Sequence, residues 1–207
     1  MKKLQPYRSF DGANRSLDNG GRFWNVFTNA GDRVITKGEI AAAGAGAGWA
    51  NALLFFEMMS SELSAGEREE LLHRLTPKLR RRYRQSGPEL VSPGKLNSLD
   101  DVKRPYILEG VARRVDEQQL TTGFIPITTM VGNVPITTQI PVTEMFVVFE
   151  VTGGRGGVGR VLARKGSVLA DGARARFGGT LKKGREGKEK RSKARNFLTA
   201  RFYVDLT

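Results

Sequence analysis

The chain has no cysteine and one histidine in its 207 residues. Without cysteine there is no disulfide framework, no thiolate nucleophile and no thiolate metal site. A lone His73 excludes a two-histidine metal site, and any Ser–His–acid triad would have to be built around it. Acidic residues are scarce at one end. Residues 151–207 hold 4 Asp/Glu against 15 Lys/Arg, a net of +11, while residues 1–150 set 17 acidic against 19 basic side chains. A membrane-spanning run is also lacking. Residues 40–56 are 17 uncharged residues, mostly Ala and Gly with Asn51 near the apolar end, short of the roughly 20 that span a bilayer. They predict a small-residue stretch leading into a buried helix. The N-terminal Met1-Lys2-Lys3 runs into polar residues, which is not a secretory signal and points to a cytoplasmic protein or one inside a particle.

What is present suits a soluble globular chain: 39% hydrophobic and 27% charged residues. The formal net charge of +13 sits almost wholly in the last quarter. A field that lopsided bears on partners rather than on fold, and suits a polyanion, nucleic acid first.

In chain order, residues 1–21 read as a polar arm, 22–86 as a helical unit, 87–104 as a linker and 105–207 as a basic β domain. Phe23, Trp24 and Phe27 lie at helical spacing, and Arg33-Val34-Ile35-Thr36 is a short extended piece. Good helix formers with apolar residues nearly all round predict a buried helix over residues 49–63. Ser64 with Glu67 three residues on is a capping box opening a second helix. Its stripe is Leu71, Leu72, Leu75 and Leu79, with a break or kink at Pro77. His73 beside that stripe reads as structural, and the basic run Arg80-Arg81-Arg82-Tyr83-Arg84 as a cap for a helix C-terminus.

Beyond the Pro/Gly/Ser-rich linker, period-two alternation takes over. Strands are expected over residues 106–115, 145–151, 158–163, 173–177 and 197–206. Val131-Gly132-Asn133 between Ile125-Pro126-Ile127-Thr128-Thr129 and Val134-Pro135-Ile136-Thr137-Thr138 signals a hairpin. Proline in each arm places it on an edge or projecting from the body. Two readings stand for it: a docking device for another subunit through Ile125, Ile127, Val134 and Ile136, or a loop folded over its own barrel. The class is α+β, an N-terminal helical unit followed by a small antiparallel β-barrel or sandwich, with an OB-like barrel among the candidates.

Two local stretches resemble known motifs. Residues 28–39 resemble an EF-hand calcium loop, with Asp32 at the fifth position, Ile35 at the eighth, Thr36 at the ninth and Glu39 at the twelfth. Thr28, Ala30 and Arg33 replace the first ligand, the third ligand and the turn glycine. Two carboxylates fall short of calcium's usual six to eight oxygens, so a turn joined to a short strand is expected. Thr152-Gly153-Gly154-Arg155-Gly156-Gly157-Val158-Gly159 looks like the cofactor turn of short-chain dehydrogenases, which would imply NAD(P) bound at a helix N-terminus. No βαβ pattern precedes it and no Tyr-x-x-x-Lys pair follows, so a glycine turn between antiparallel strands is expected.

No acid–base pair, nucleophile–base pair or metal cluster stands out, and the expectation is a non-enzymatic binding protein without cofactor. Its polyanion surface is expected to use Arg174, Arg176, Lys182, Lys183, Arg185, Lys188, Lys190, Arg191, Lys193, Arg195 and Arg201, with Phe197 and Tyr203 as stacking rings beside Arg201 on one strand face. Residues 182–195, eight Lys/Arg with Glu186 and Glu189, are expected to form a solvated loop. The alternatives are a structural subunit of a larger assembly, docking through the hairpin and the N-terminal arm, and a nucleotide-dependent enzyme.

Overall fold

The computed structural model describes residues 1–21, 30–154, 156–185 and 194–206. The aromatic cluster Phe23, Trp24 and Phe27 lies outside them.

The first residues are built into the fold and do not form an arm. Strand β1 (Lys2–Lys3) pairs in parallel with the last strand, Lys2 opposite Phe202 and Lys3 opposite Tyr203. Helix α1 (Phe10–Leu17) is capped by Ser9, whose hydroxyl accepts from the Gly12 N–H, and it buries Ala13 and Leu17. Polar composition hid this, because three buried apolar side chains, Leu4, Ala13 and Leu17, are enough to seat so short a segment.

The twelfth-position carboxylate of the EF-hand-like stretch is taken up by backbone N–H groups. Glu39 is buried, and its carboxylate accepts from the backbone N–H groups of Gly20 and Thr36, both at 2.8 Å. With Thr36 it forms the capping box of helix α2 (Lys37–Ile40). Asp18 accepts from the N–H groups of Gly31 and Arg33. Arg33 has φ 65, the conformation a turn glycine would adopt. Ile35 bridges to Leu75. These carboxylates hold backbone, and the described residues contain no group of three potential metal ligands.

A π-helical turn (Ala41–Ala45) and positive-φ glycines at 46 and 48 separate α2 from α3 (Trp49–Met59). The uncharged stretch is therefore broken, and no described helix is long and apolar enough to cross a membrane. The Ser64 capping box opens α4 (Ala65–Arg74). Pro77 makes a full break, since it starts α5 (Pro77–Ser86) at the position where its missing N–H costs nothing. Arg80 donates to the carbonyls of Leu72 and Leu75, both at 3.1 Å, so the first arginine of the basic run caps the preceding helix. Tyr83 and Arg68 both donate to Glu57, tying α5, α4 and α3 together.

The expected linker is also structure. Strand β2 (Glu89–Val91) runs parallel to the next strand, and a 3₁₀ turn (Pro93–Ser98) drives Leu96 into the β core. The Asn196 side-chain amide fixes it by donating to the carbonyls of Leu96 at 3.1 Å and Leu99 at 2.6 Å.

Five strands then close a barrel: β3 (Pro105–Val131), β4 (Val134–Thr152), β5 (Val158–Arg164), β6 (Arg174–Arg185) and β7 (Ala194–Asp205). The order around it is β3-β4-β5-β7-β6 and back to β3. All pairs are antiparallel except β5 with β7, which is parallel, so the barrel is mixed rather than antiparallel. First-second-third-fifth-fourth, with third and fifth parallel, is the strand order of an OB barrel. Leu108, Phe149, Val161, Phe177 and Leu198 fill it. Helix α3 lies on the outer side of β3, β6 and β7, where Leu54, Phe55 and Met58 join Ile107, Phe202 and Val204 in one core. Gly178 permits this seat, since a Cβ there would stand 2.3 Å from the Met58 sulfur.

A bulge redirects β7. Phe202 pairs with Gly178 and Ala200 with Gly179, leaving Arg201 as the extra residue. Leu198 and Ala200 point into the barrel, but beyond the bulge Tyr203 takes that role while Phe202 and Val204 turn to the helices. Strict alternation along β7 is thus broken at Arg201.

Strands β3 and β4 outrun the barrel. β3 pairs with β6 only as far as Val111, and β4 pairs with β5 only from Phe146 onward. Beyond, the two form a ribbon closed by Gly132 and Asn133, with bulges between Arg114 and Asp116 and between Thr121 and Gly123.

Candidate nucleic-acid interface

The face opposite the helices is formed by β4, β5 and β7. Its outward side chains in the centre are apolar: Phe146, Val148, Leu162 and Phe197 make a separate buried cluster, with Leu120 of the ribbon packed on it. Around that floor stand cations. Arg160 and Arg164 share the outer side of β5 with Leu162, because strand side chains alternate. Lys182 lies opposite Phe197 on β6, and Arg201 is thrown outward by the bulge.

A cavity of about 430 Å³ opens here, lined among others by Thr121, Thr122, Phe146, Arg164, Lys182, Thr199 and Arg201. Arg164 is paired with Glu144 at 2.9 Å. Among the described residues Lys182 and Arg201 have no carboxylate partner within ion-pair distance. The Thr199 hydroxyl is buried with no hydrogen-bond partner. Cations and hydroxyls without acidic residues in the lining make a cavity suited to an anion. A wider groove of about 780 Å³ beside the glycine-rich turn differs in charge, with Glu109 and Glu150 balancing Arg113 and Arg174.

The basic residues expected from sequence fall into four groups. Lys182 and Arg201 line the cavity together. Arg174 and Arg176 do share a strand face, but both are bound to Glu109, at 3.1 and 3.0 Å, and lie away from the cavity. Lys183 reaches Asp100 at 3.1 Å. Arg185 and Arg195 stand on paired strands, as the β6–β7 ladder runs to Arg185 opposite Ala194. Strand pairing therefore claims both ends of the expected loop. Lys188, Lys190, Arg191 and Lys193 lie outside the described residues.

The two aromatic rings are not presented for stacking. Phe197 is 3% exposed in the floor and Tyr203 is 2% exposed inside the barrel, where its hydroxyl donates to the Val168 carbonyl at 2.9 Å. Burial, then the charge of Asp205, raises the Tyr203 pKa. The bulge at Arg201 is the reason they part company. Sequence reasoning missed Arg160, Arg164 and the three threonines. The signal was there in Arg160-Val161-Leu162-Ala163-Arg164, where two arginines four apart on a strand share a face.

The glycine-rich turn joins antiparallel strands, Thr152 pairing with Val158, and a strand follows it rather than a helix. The helix N-terminus that a dinucleotide pyrophosphate would need is not there. His73 is exposed, 3.3 Å from Glu69 one turn back on its own helix. Ile125, Ile127, Val134 and Ile136 all fall on one face of the ribbon and are all exposed.

No family model matches the chain, and no curated protein matches it. Among solved structures it is similar to the N-terminal domain of an archaeal MCM, with a TM-score of 0.41 and 10% identity over 84% of this chain and 86% of that one.

Proposed function

We propose that this chain is a non-enzymatic binding protein that holds single-stranded nucleic acid, largely without regard to sequence, across the β4–β5–β7 face. The observation that carries the reading is the cavity lined by Arg164, Lys182, Arg201 and three threonines. Its place in the fold supports it. OB barrels bind oligonucleotides on the face of their second and third strands and on the loops joining strands one to two and four to five. Here those strands are β4 and β5, and those connections are the ribbon and the basic stretch ending β6. A fold does not confer a function by itself, so the weight rests on the cations this chain places there. Phosphates would meet Arg164, Lys182 and Arg201 and release counterions, and the threonine hydroxyls would hydrogen-bond phosphate oxygens. With Phe197 and Tyr203 buried, ring stacking contributes little, and affinity should be mostly electrostatic.

The test is fluorescence-anisotropy titration with labelled single- and double-stranded oligonucleotides at several salt concentrations. It compares the intact chain with a variant carrying Arg164→Gln, Lys182→Gln and Arg201→Gln. Micromolar or tighter binding of the single strand is expected at low salt. The variant should lose about 2 from the slope of log K against log salt, roughly 0.7 for each of three lost contacts. Absence of binding at low salt, or a variant with unchanged slope, overturns the reading.

A further inference from the structure

The ribbon has a property the nucleic-acid face does not explain. Residues 118–143 are 26 consecutive residues without a charge, in a chain that is 27% charged and carries +13. Charges resume at once at its base, where Glu117 pairs with Lys165 at 3.1 Å and Glu144 with Arg164 at 2.9 Å.

The register sorts the ribbon into two unlike faces. Ile125 stands opposite Ile140, Ile127 opposite Thr138, Thr129 opposite Ile136, and Val131 opposite Val134. Residues directly opposite share a face, so one side is a β-branched stripe, and its six Ile and Val residues are each at least 43% exposed. The other side carries Phe124, Met130, the Thr128–Thr137 hydrogen bond at 2.9 Å, and three prolines.

The prolines say how the ribbon can associate. Pro126, Pro135 and Pro141 pair with Gln139, Met130 and Phe124, all rungs of the same parity. A proline leaves the ladder intact only at rungs whose N–H would point outward. The outer edges therefore lack a donor at Pro126, Pro135 and Pro141, which hinders strand addition and favours the Ile/Val face as the surface for contact.

We propose that this face packs on the same face of a second copy of the chain, forming a two-fold dimer. The stripe runs Ile-Ile-Thr-Val going out and Val-Ile-Thr-Ile coming back, so both arms offer β-branched side chains to the same patch of a second copy across a two-fold axis. Two chains of +13 repel each other over most of their surface, and this uncharged stretch is where they can approach without bringing like charges together. The contact buries β-branched side chains between two ribbons stacked roughly 10 Å apart.

Sedimentation velocity over a concentration series tests it, on nuclease-treated intact chain at high salt, where bridging by nucleic acid is suppressed. The intact chain should shift from monomer to twice that mass as concentration rises. Ile136→Lys, an exposed position, should weaken the dimer at least about 100-fold by facing like charges across the contact. Thr137→Lys puts the same charge on the other face and should leave the dimer in place. Circular dichroism checks that both variants are folded. An intact chain that stays monomeric, an Ile136→Lys chain that still dimerises, or a Thr137→Lys chain as weak as Ile136→Lys overturns the proposal. Neutral phosphatidylcholine vesicles supply the last arm. A chain that is monomeric in solution and sediments with the vesicles through Ile136 would assign the face to lipid instead.

Discussion

Strand β3 runs unbroken from Pro105 to Val131, and its two halves carry similar apolar sequence to opposite ends. Tyr106, Ile107 and Leu108 are buried, whereas Phe124, Ile125 and Ile127 are exposed. The first half has β6 on one side, β2 on the other and α3 above. The second half has only β4 beside it. Hydrophobicity and period-two alternation are nearly the same in both, so burial here follows from what lies over the strand, not from the strand.

Substitutions can break that contrast. The largest effect is expected at Leu108, fully buried in the barrel. Leu108→Ala should cost about 2–5 kcal/mol in urea unfolding, from lost transfer energy and a cavity. Next is the seat of the helical layer on the buried half. Gly178→Val would push into Met58 and Leu54 and should cost about 1–3 kcal/mol by overpacking, while leaving oligonucleotide affinity at low salt unchanged. Tyr83→Phe, loosening the tie between α3 and α5, should cost about 1 kcal/mol.

That tie also predicts a pH dependence. Burial first, and then the Glu57 charge, push the Tyr83 pKa from 10.0 up to about 12. The folded chain therefore favours the neutral phenol. Its contribution is whole below pH 10 and is lost as pH rises from 10 toward 12. Thermal melts across that window should fall more steeply for the intact chain than for Tyr83→Phe. The smallest effect is expected on the exposed half of β3. Ile127→Ala should change monomer stability by no more than about 0.5 kcal/mol, measured below the concentration at which the chain associates. A loss like that of Leu108→Ala would mean the ribbon is packed within one chain, and the contrast between the halves would fail.

Much of the fold was legible in local patterns. The Ser64 capping box, the stop at Pro77 and the Gly132-Asn133 turn each depend on a few neighbouring residues, and each is where the pattern placed it. The short polar stretches were not legible as structure. Residues 1–21 and 87–104 hold their places through Leu4, Leu17, Val91 and Leu96, single apolar anchors whose partners lie far along the chain. The site was half legible. Lys182 and Arg201 were visible as basic residues, but their company with Arg164 and three threonines arises from strand pairing and from the lean of the ribbon over the barrel. Phe197 and Tyr203 looked like neighbours on one face, and a one-residue bulge separated them.

The sequence by itself determined what depends on near neighbours and composition: helix starts and stops, strand periodicity, the hairpin turn, and a basic last quarter with no cysteine or histidine pair for metal or thiol chemistry. The tertiary structure decided which apolar strands are covered, which arginines are spent on Glu109 and Glu150, and which cations line the cavity. Those outcomes turn on contacts between residues tens of positions apart, which pairing register and packing settle only when the barrel closes.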